Sequence, residues 1–114
     1  MIWHLKNQNK YRAQSTIYNG ISYHSKKEAT YAQELDLLKK AGEIKDWERQ
    51  VKIDLEVNGY HIANYYVDFK IENKDGSIEY HEVKGFSTDV WRIKWKLFEA
   101  LYGDLPDVKL VVIR

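Results

Sequence analysis

Apolar positions along the chain change period several times, and each change marks an element. Thr16-Ile17-Tyr18 and Ile21-Ser22-Tyr23 flank Asn19-Gly20, a dipeptide that accepts the positive backbone angles of a type I′ turn, so this stretch predicts a small hairpin. Ser25 then fits a helix N-cap. Tyr31, Leu35 and Leu38, with Ala32 beside them, recur at helical spacing through a helix expected over 26–41, where Gly42 stops it. Val51, Ile53, Leu55 and Val57 alternate as a strand does, Asn58-Gly59 turns the chain, and residues 60–71 predict a long return strand. Lys74-Asp75-Gly76 reverses it into a third strand over 78–84. A second helix is expected over 89–102, closed by Gly103, and the short, apolar, β-branched stretch 108–113 predicts a buried strand. The order is a β-hairpin, a helix, three antiparallel strands, a helix and a strand: an α/β sandwich in outline, with no repeat, low-complexity tract or linker.

The third reversal decides which side chains can meet. Asn73-Lys74-Asp75-Gly76 suits a type I turn followed by a left-handed glycine, a three-residue loop that sets Asn73 opposite Ser77 and, counting back, Asp68 opposite Glu82. Side chains alternate along a strand, so Glu82 and Lys84 share a face. A two-residue loop of Asp75-Gly76 would slip the register and set Asp68 against Val83 instead.

Length and composition narrow the class. At 114 residues and 13.6 kDa the chain is expected to be one domain, read as a basic arm and hairpin over 1–24 and a core over 25–114. Apolar residues make up 44% and charged residues 31%, which is a globular rather than a disordered balance. No apolar run approaches the ~20 residues of a membrane span and the N-terminus lacks a secretory signal, so no membrane partner and a cytoplasmic location are expected. The absence of cysteine removes disulfides, thiolate metal sites and cysteine nucleophiles together.

The net charge of +1 hides an asymmetry. Residues 1–27 carry Lys6, Lys10, Arg12, Lys26 and Lys27 and no acid, whereas residues 28–84 carry thirteen acids against eight bases. A basic arm interleaved with Trp3, Tyr11 and Tyr18 could track a phosphate backbone and stack on bases or sugars; it could equally be a solvated terminal segment.

Two carboxylates directly across an antiparallel pair repel unless something positive lies between them. Lys84 supplies one charge beside Asp68 and Glu82, and an oxygen-seeking divalent cation would supply more while leaving room for substrate phosphate oxygens. The plainer alternative makes Asp68 and Glu82 edge-strand charges with Lys84 as their salt-bridge partner. Glu28 has two readings as well. Ser25-Lys26-Lys27-Glu28 is a capping box, yet Glu28 also falls on the apolar stripe of its helix, with its carboxylate aimed inward. Glu34, at the other margin of the stripe, is a reserve candidate. His4, His24, His61 and His81 show neither an i, i+4 pair nor a zinc spacing, and neither a nucleophile-histidine-acid set nor a phosphate-binding glycine loop is present.

A helix-borne Glu28, Asp68 in "NYYVDF" and Glu82-x-Lys84 in "EVKG" resemble the PD-(D/E)XK nuclease superfamily. The stretches "NKYRAQ", "GISYHSKKEA", "LLKKAGEIKDWERQ" and "EVKGFSTDVWRIKWKLFEALYG" are similar to small phage-encoded nucleases of that superfamily, related to endonuclease I-like and Holliday-junction-resolving enzymes. The resemblance implies a restriction-endonuclease-like α-β-β-β-α-β core with a mixed sheet flanked by helices. Val67 stands where the family's motif has a proline that is often absent in the superfamily, and a valine serves a buried strand better. Carried over residue by residue, the resemblance implies that Asp68, Glu82 and the Val83 carbonyl ligate the metal. Lys84 would act on the attacking water, and Glu28 would hold a metal-bound water or a second ion. The metal would be magnesium, with manganese accepted by the same oxygen ligands. Gln50 resembles a polar residue that related nucleases keep near the metal.

In the second helix Val90, Ile93, Leu97 and Leu101 form one apolar stripe that Trp91, Trp95, Phe98 and Tyr102 widen, suggesting a covered helix or a subunit contact. Arg92 and Lys96, at i and i+4, could meet phosphates or form a solvated stripe paired with Glu99. The expectation is therefore a magnesium-dependent DNA endonuclease acting on branched or Holliday-junction DNA. Symmetric cutting of a junction needs two active sites, and hence a homodimer. The rivals are a nicking or transposition-type endonuclease on ordinary duplex and a DNA-binding module of the same fold without chemistry.

Overall fold

Two Asn-Gly pairs set the first tight reversals in the computed structural model, which describes residues 15–114. Asn19 and Gly20 have φ of 52° and 77°, and Asn58 and Gly59 have 52° and 83°, the doubly left-handed pairs that a type I′ turn requires. The first joins β1 (Thr16–Tyr18) to β2 (Ile21–Tyr23), antiparallel with Thr16 opposite Tyr23.

Helix α1 (Lys26–Lys40) starts where the Ser25 hydroxyl accepts the Glu28 amide at 3.1 Å. It ends where Gly42 (φ 80°) donates to the Lys39 carbonyl at 3.1 Å and Glu43 to that of Leu38 at 2.9 Å, a Schellman stop. Its buried residues are Glu28, Ala29, Ala32 and Leu35. Leu38, expected in the stripe, is 41% exposed. By its contacts the chain divides into two compact units, the first ending at Leu37 and the second running from Leu38 to Arg114.

The second unit holds a four-stranded mixed sheet in the order β3 (Asp46–Val57), β4 (Tyr60–Glu72), β5 (Ile78–Val83), β6 (Val108–Ile113). The first three strands form an antiparallel meander, and β6 lies parallel to β5 after a crossover through α2 (Asp89–Tyr102). Among the described residues the architecture is thus α/β, with a mixed sheet, two helices and a hairpin that precedes them. Strand β3 begins at Asp46 rather than Val51: sheet pairing with β4, Trp47 opposite Ile71 and Arg49 opposite Phe69, carries it through a charged stretch with no apolar alternation. Strand β6, expected to be buried, is only partly so, because it is an edge strand with β5 as its one neighbour.

The reversal between β4 and β5 has the three-residue form. Gly76 (φ 90°) donates to the Asn73 carbonyl at 3.1 Å, Asn73 donates to Ser77 at 2.9 Å, and the ladder runs from Glu72 opposite Ile78 to Phe69 opposite His81. The two-residue loop therefore does not occur; the backbone ladder ends at Phe69 opposite His81, and Asp68 and Glu82 follow immediately beyond it on the two strands.

The core of this unit joins Ile53, Leu55, Tyr65 and Val67 of the sheet to Trp95 and Phe98 of α2. Phe98 is fully buried, with the rings of Tyr65, Tyr80, Trp95 and Tyr102 at centroid distances of 5.5, 5.3, 5.6 and 5.1 Å. Burying such a ring contributes on the order of 3 kcal/mol. The face of α2 turned to the sheet is therefore its aromatic one, while Val90 and Ile93 of the aliphatic stripe are 63% and 69% exposed. Large rings remove more apolar area from water per residue, so they take the inward face. No helix among the described residues is long and apolar enough to cross a membrane.

Candidate active site

The β4–β5 ladder forks at Asp68 and Glu82, and the fork is held by side chains. The Val83 amide donates to Asp68 Oδ2 at 2.9 Å, and the Asp68 amide lies 3.4 Å from Glu82 Oε1, so each carboxylate takes a backbone N–H of the other's strand. Asp68 and Glu82 are 7% and 4% exposed, and two buried acids this close are costly without positive charge nearby.

Neighbouring groups offset part of that cost. The Tyr65 hydroxyl donates to Glu82 Oε1 at 2.6 Å, and Gln50 Nε2 donates to Asp68 Oδ1 at 3.1 Å. Gln50 has a φ of 50°, a left-handed angle uncommon for a residue with a side chain, and it lies in β3 at the register position facing Asp68. Lys84 Nζ lies 3.7 Å from Glu82 Oε2 and 4.6 Å from the centroid of the Trp91 ring. The Lys84 backbone is tied to β6 by a 2.7 Å bond from its amide to the Ile113 carbonyl.

The electrostatic consequence falls on Glu82. Burial first, and then the charge of Asp68, push its carboxyl up to about 7, against the pull of the Tyr65 hydroxyl and Lys84. The Tyr65 hydroxyl is itself driven well above the ordinary phenol range by burial and by Glu82's charge, so it stays protonated and can only donate to the carboxylate.

The donors suit a hard cation. They are two carboxylates with an ammonium 3.7 Å from one of them. Among the described residues no three or more His, Cys, Asp and Glu side chains form a metal cage. Zinc or calcium would want such a cage; magnesium instead keeps several waters and is held through one or two carboxylates with substrate phosphate completing its shell. Asp68 and Glu82 fit that second pattern.

Asp68, Glu82, Lys84 and Gln50 therefore come together, and Val83 joins them through its amide. Glu28 is buried on α1 in the first unit, whereas Glu34 is exposed. Lys26 and Lys27 are exposed in the first turn of α1; Lys6, Lys10 and Arg12 lie outside the described residues. Arg92 and Lys96 line a surface groove with Ile93, Leu97 and Ala100. Arg92 pairs with Asp89 and the Ser87 carbonyl rather than with Glu99, because Asp89 is one helical turn before it. His61 and His81 are engaged by Asp54 and Glu79, at 2.5 and 2.9 Å.

Two residues of the site carried no signal in the sequence. Tyr65 has no distinguishing pattern within its strand and Trp91 only widens an apolar stripe, yet Trp91 Nε1 donates to the Tyr65 hydroxyl at 3.3 Å. No spacing rule links residue 91 to residue 65; only the docking of α2 on the sheet does.

The chain belongs to the family described as "Protein of unknown function (DUF1064)", which matches residues 8–114. No curated protein matches it significantly.

Proposed function

We propose that this member of the DUF1064 family is a magnesium-dependent DNA endonuclease of the PD-(D/E)XK type, a restriction-endonuclease-like fold acting on branched DNA. One observation carries the reading: two buried carboxylates from adjacent strands meet across a fork in the sheet, with the Lys84 ammonium 3.7 Å from one of them. A structural salt bridge would need one acid; two buried acids meeting at one point suit an oxygen-seeking divalent cation.

In this reading Asp68 and Glu82 hold Mg2+, or Mn2+ in its place, and the Val83 carbonyl supplies a further oxygen. The chemistry such an ion supplies when bound is Lewis-acid stabilisation of charge on the scissile phosphate. Gln50 and Tyr65 fix the two carboxylates by hydrogen bonds. Lys84 orients the attacking water and stabilises negative charge as the phosphodiester bond breaks. Exposed Lys26, Lys27, Arg92 and Lys96 are assigned to the DNA backbone, where each contact adds salt-dependent affinity. Cutting a junction symmetrically takes two such sites, so a homodimer is part of the proposal.

The test is cleavage of labelled branched, duplex and single-stranded DNA in Mg2+ by wild type and by Lys84→Ala. Wild-type cleavage, fastest on branched DNA and lost in the variant, is expected. Equal rates for the two proteins would refute the catalytic assignment. Salt-dependent binding that ignores Mg2+, with Asp68→Asn binding at least as well, would instead identify a DNA-binding module.

A further inference from the structure

We propose that Trp91 is a positioning residue for both halves of this site: one indole holds the Lys84 ammonium over its face and, through its N–H and the Tyr65 hydroxyl, the Glu82 carboxylate at its edge. The inference rests on the nuclease reading for the purpose of the arrangement, and on coordinates alone for the arrangement itself.

The contacts close a circuit. From the ring centroid it is 4.6 Å to Lys84 Nζ, and from there 3.7 Å to Glu82 Oε2. Returning, Glu82 Oε1 accepts from the Tyr65 hydroxyl at 2.6 Å, and the hydroxyl oxygen accepts from Trp91 Nε1 at 3.3 Å. The direction of each bond follows from the groups themselves. An ionised carboxylate only accepts, so the single phenolic hydrogen goes to Glu82; the lone pair left on the phenol oxygen then faces an indole N–H, which only donates.

Packing accounts for only part of this. It explains why Trp91 stacks on Trp95, with ring centroids 5.8 Å apart and planes 19° from parallel. It does not explain why the N–H is spent on the hydroxyl that carries Glu82. Nor does it explain why an ammonium on a flexible four-carbon stem lies over the ring with its side chain only 19% exposed, when water is the default partner of such a group. The ring is itself well anchored. Trp91 sits in the first turn of α2, where its amide donates to the N-cap Thr88 hydroxyl at 3.1 Å. Helix and fork are thus coupled through one side chain, and the separation of the ammonium from the carboxylate is set by a rigid bicycle instead of a flexible lysine stem.

Three variants separate the contacts. Trp91→Phe keeps an aromatic face and loses the N–H, Trp91→Leu loses both, and Tyr65→Phe breaks the hydrogen-bond chain while leaving the indole. Three readouts are followed: the ring-current shift of the Lys84 ε-methylene protons by NMR, Mn2+ affinity by calorimetry, and kcat with KM on whichever DNA the wild type cuts, with Tm recorded throughout. The Lys84 protons should lie upfield in wild type, Tyr65→Phe and Trp91→Phe, and move to the free-lysine position in Trp91→Leu. Mn2+ affinity should fall about 10-fold in Tyr65→Phe, as removing an orienting partner of a metal ligand does. In Trp91→Leu kcat should fall at least as much at unchanged KM, with partial rescue by phenylalanine, and that rescue should vanish in a Lys84→Ala background. Wild-type Lys84 shifts and Mn2+ affinity in Trp91→Leu would overturn the proposal, as would rate losses that merely track Tm in all three variants. If wild type cuts no DNA the nuclease reading fails by itself, and the NMR shifts and Mn2+ isotherms still decide the role of Trp91.

Discussion

Replacing Glu82 by glutamine should stabilise the protein at alkaline pH and do much less at acid pH. The carboxyl is raised from its ordinary 4.5 to about 7 by burial and by Asp68, so the folded state binds this proton more tightly than the unfolded state does. Protonation therefore favours folding, and the advantage, complete below about pH 4.5, is lost as the pH rises through about 7. A displacement of that size corresponds to about 3 kcal/mol. Above pH 7 the wild type carries the full cost of an ionised Glu82, while the Glu82→Gln variant carries none and keeps an oxygen to accept from Tyr65 and from the Asp68 amide. Urea denaturation of both proteins in EDTA, at pH 8 and pH 5, reads the effect of this carboxyl together with the response of Asp68, whose charge it opposes. The variant's advantage should reach about 3 kcal/mol at pH 8, and most of it should be gone at pH 5. A stability difference that stays constant between the two pH values would refute the claim that burial beside Asp68 strains this carboxylate.

Gln50→Gly should be more stable than Gln50→Ala by about 1 kcal/mol in urea, since both lose the bond to Asp68 but only glycine is at ease at φ 50°; equal stabilities would mean that the left-handed angle costs nothing here. At Gly76, where φ is 90° and a Cβ would meet open space, Gly76→Ala should cost about 1 kcal/mol from backbone strain alone, and Gly76→Asn less. Phe98→Ala should cost about 3–5 kcal/mol, measured by the shift of the denaturation midpoint, because four rings close around a fully buried side chain.

Local chemistry made much of the fold readable. The Asn-Gly pairs, Gly42 and Gly76 adopt backbone angles that few other residues allow, and the Ser25 hydroxyl caps a free amide, so reversals and helix ends are decided within a few residues. The turn in turn fixes the register up to Phe69 opposite His81, which brings Asp68 and Glu82, the next residues on each strand, to the same place. Elements whose limits depend on a neighbour are not readable in this way. Strand β3 extends through Asp46-Trp47-Glu48 because β4 pairs with it, β6 is only partly buried because one of its edges lies open, and α2 turns Trp95 and Phe98 inward while Val90 and Ile93 stay exposed.

By itself, then, the sequence determined the order of elements, the register of the β4–β5 turn and the acid-acid-lysine set, because these follow from contacts close along the chain or from strict alternation. Only the tertiary structure decided what surrounds that set: the fork that turns each carboxylate onto the other strand's amide, the left-handed Gln50, and the Tyr65–Trp91 pair brought together by α2 lying on the sheet. Those contacts join residues far apart in sequence through rotamers and burial, and neither composition nor spacing carries a record of where a side chain's polar tip will find its partner.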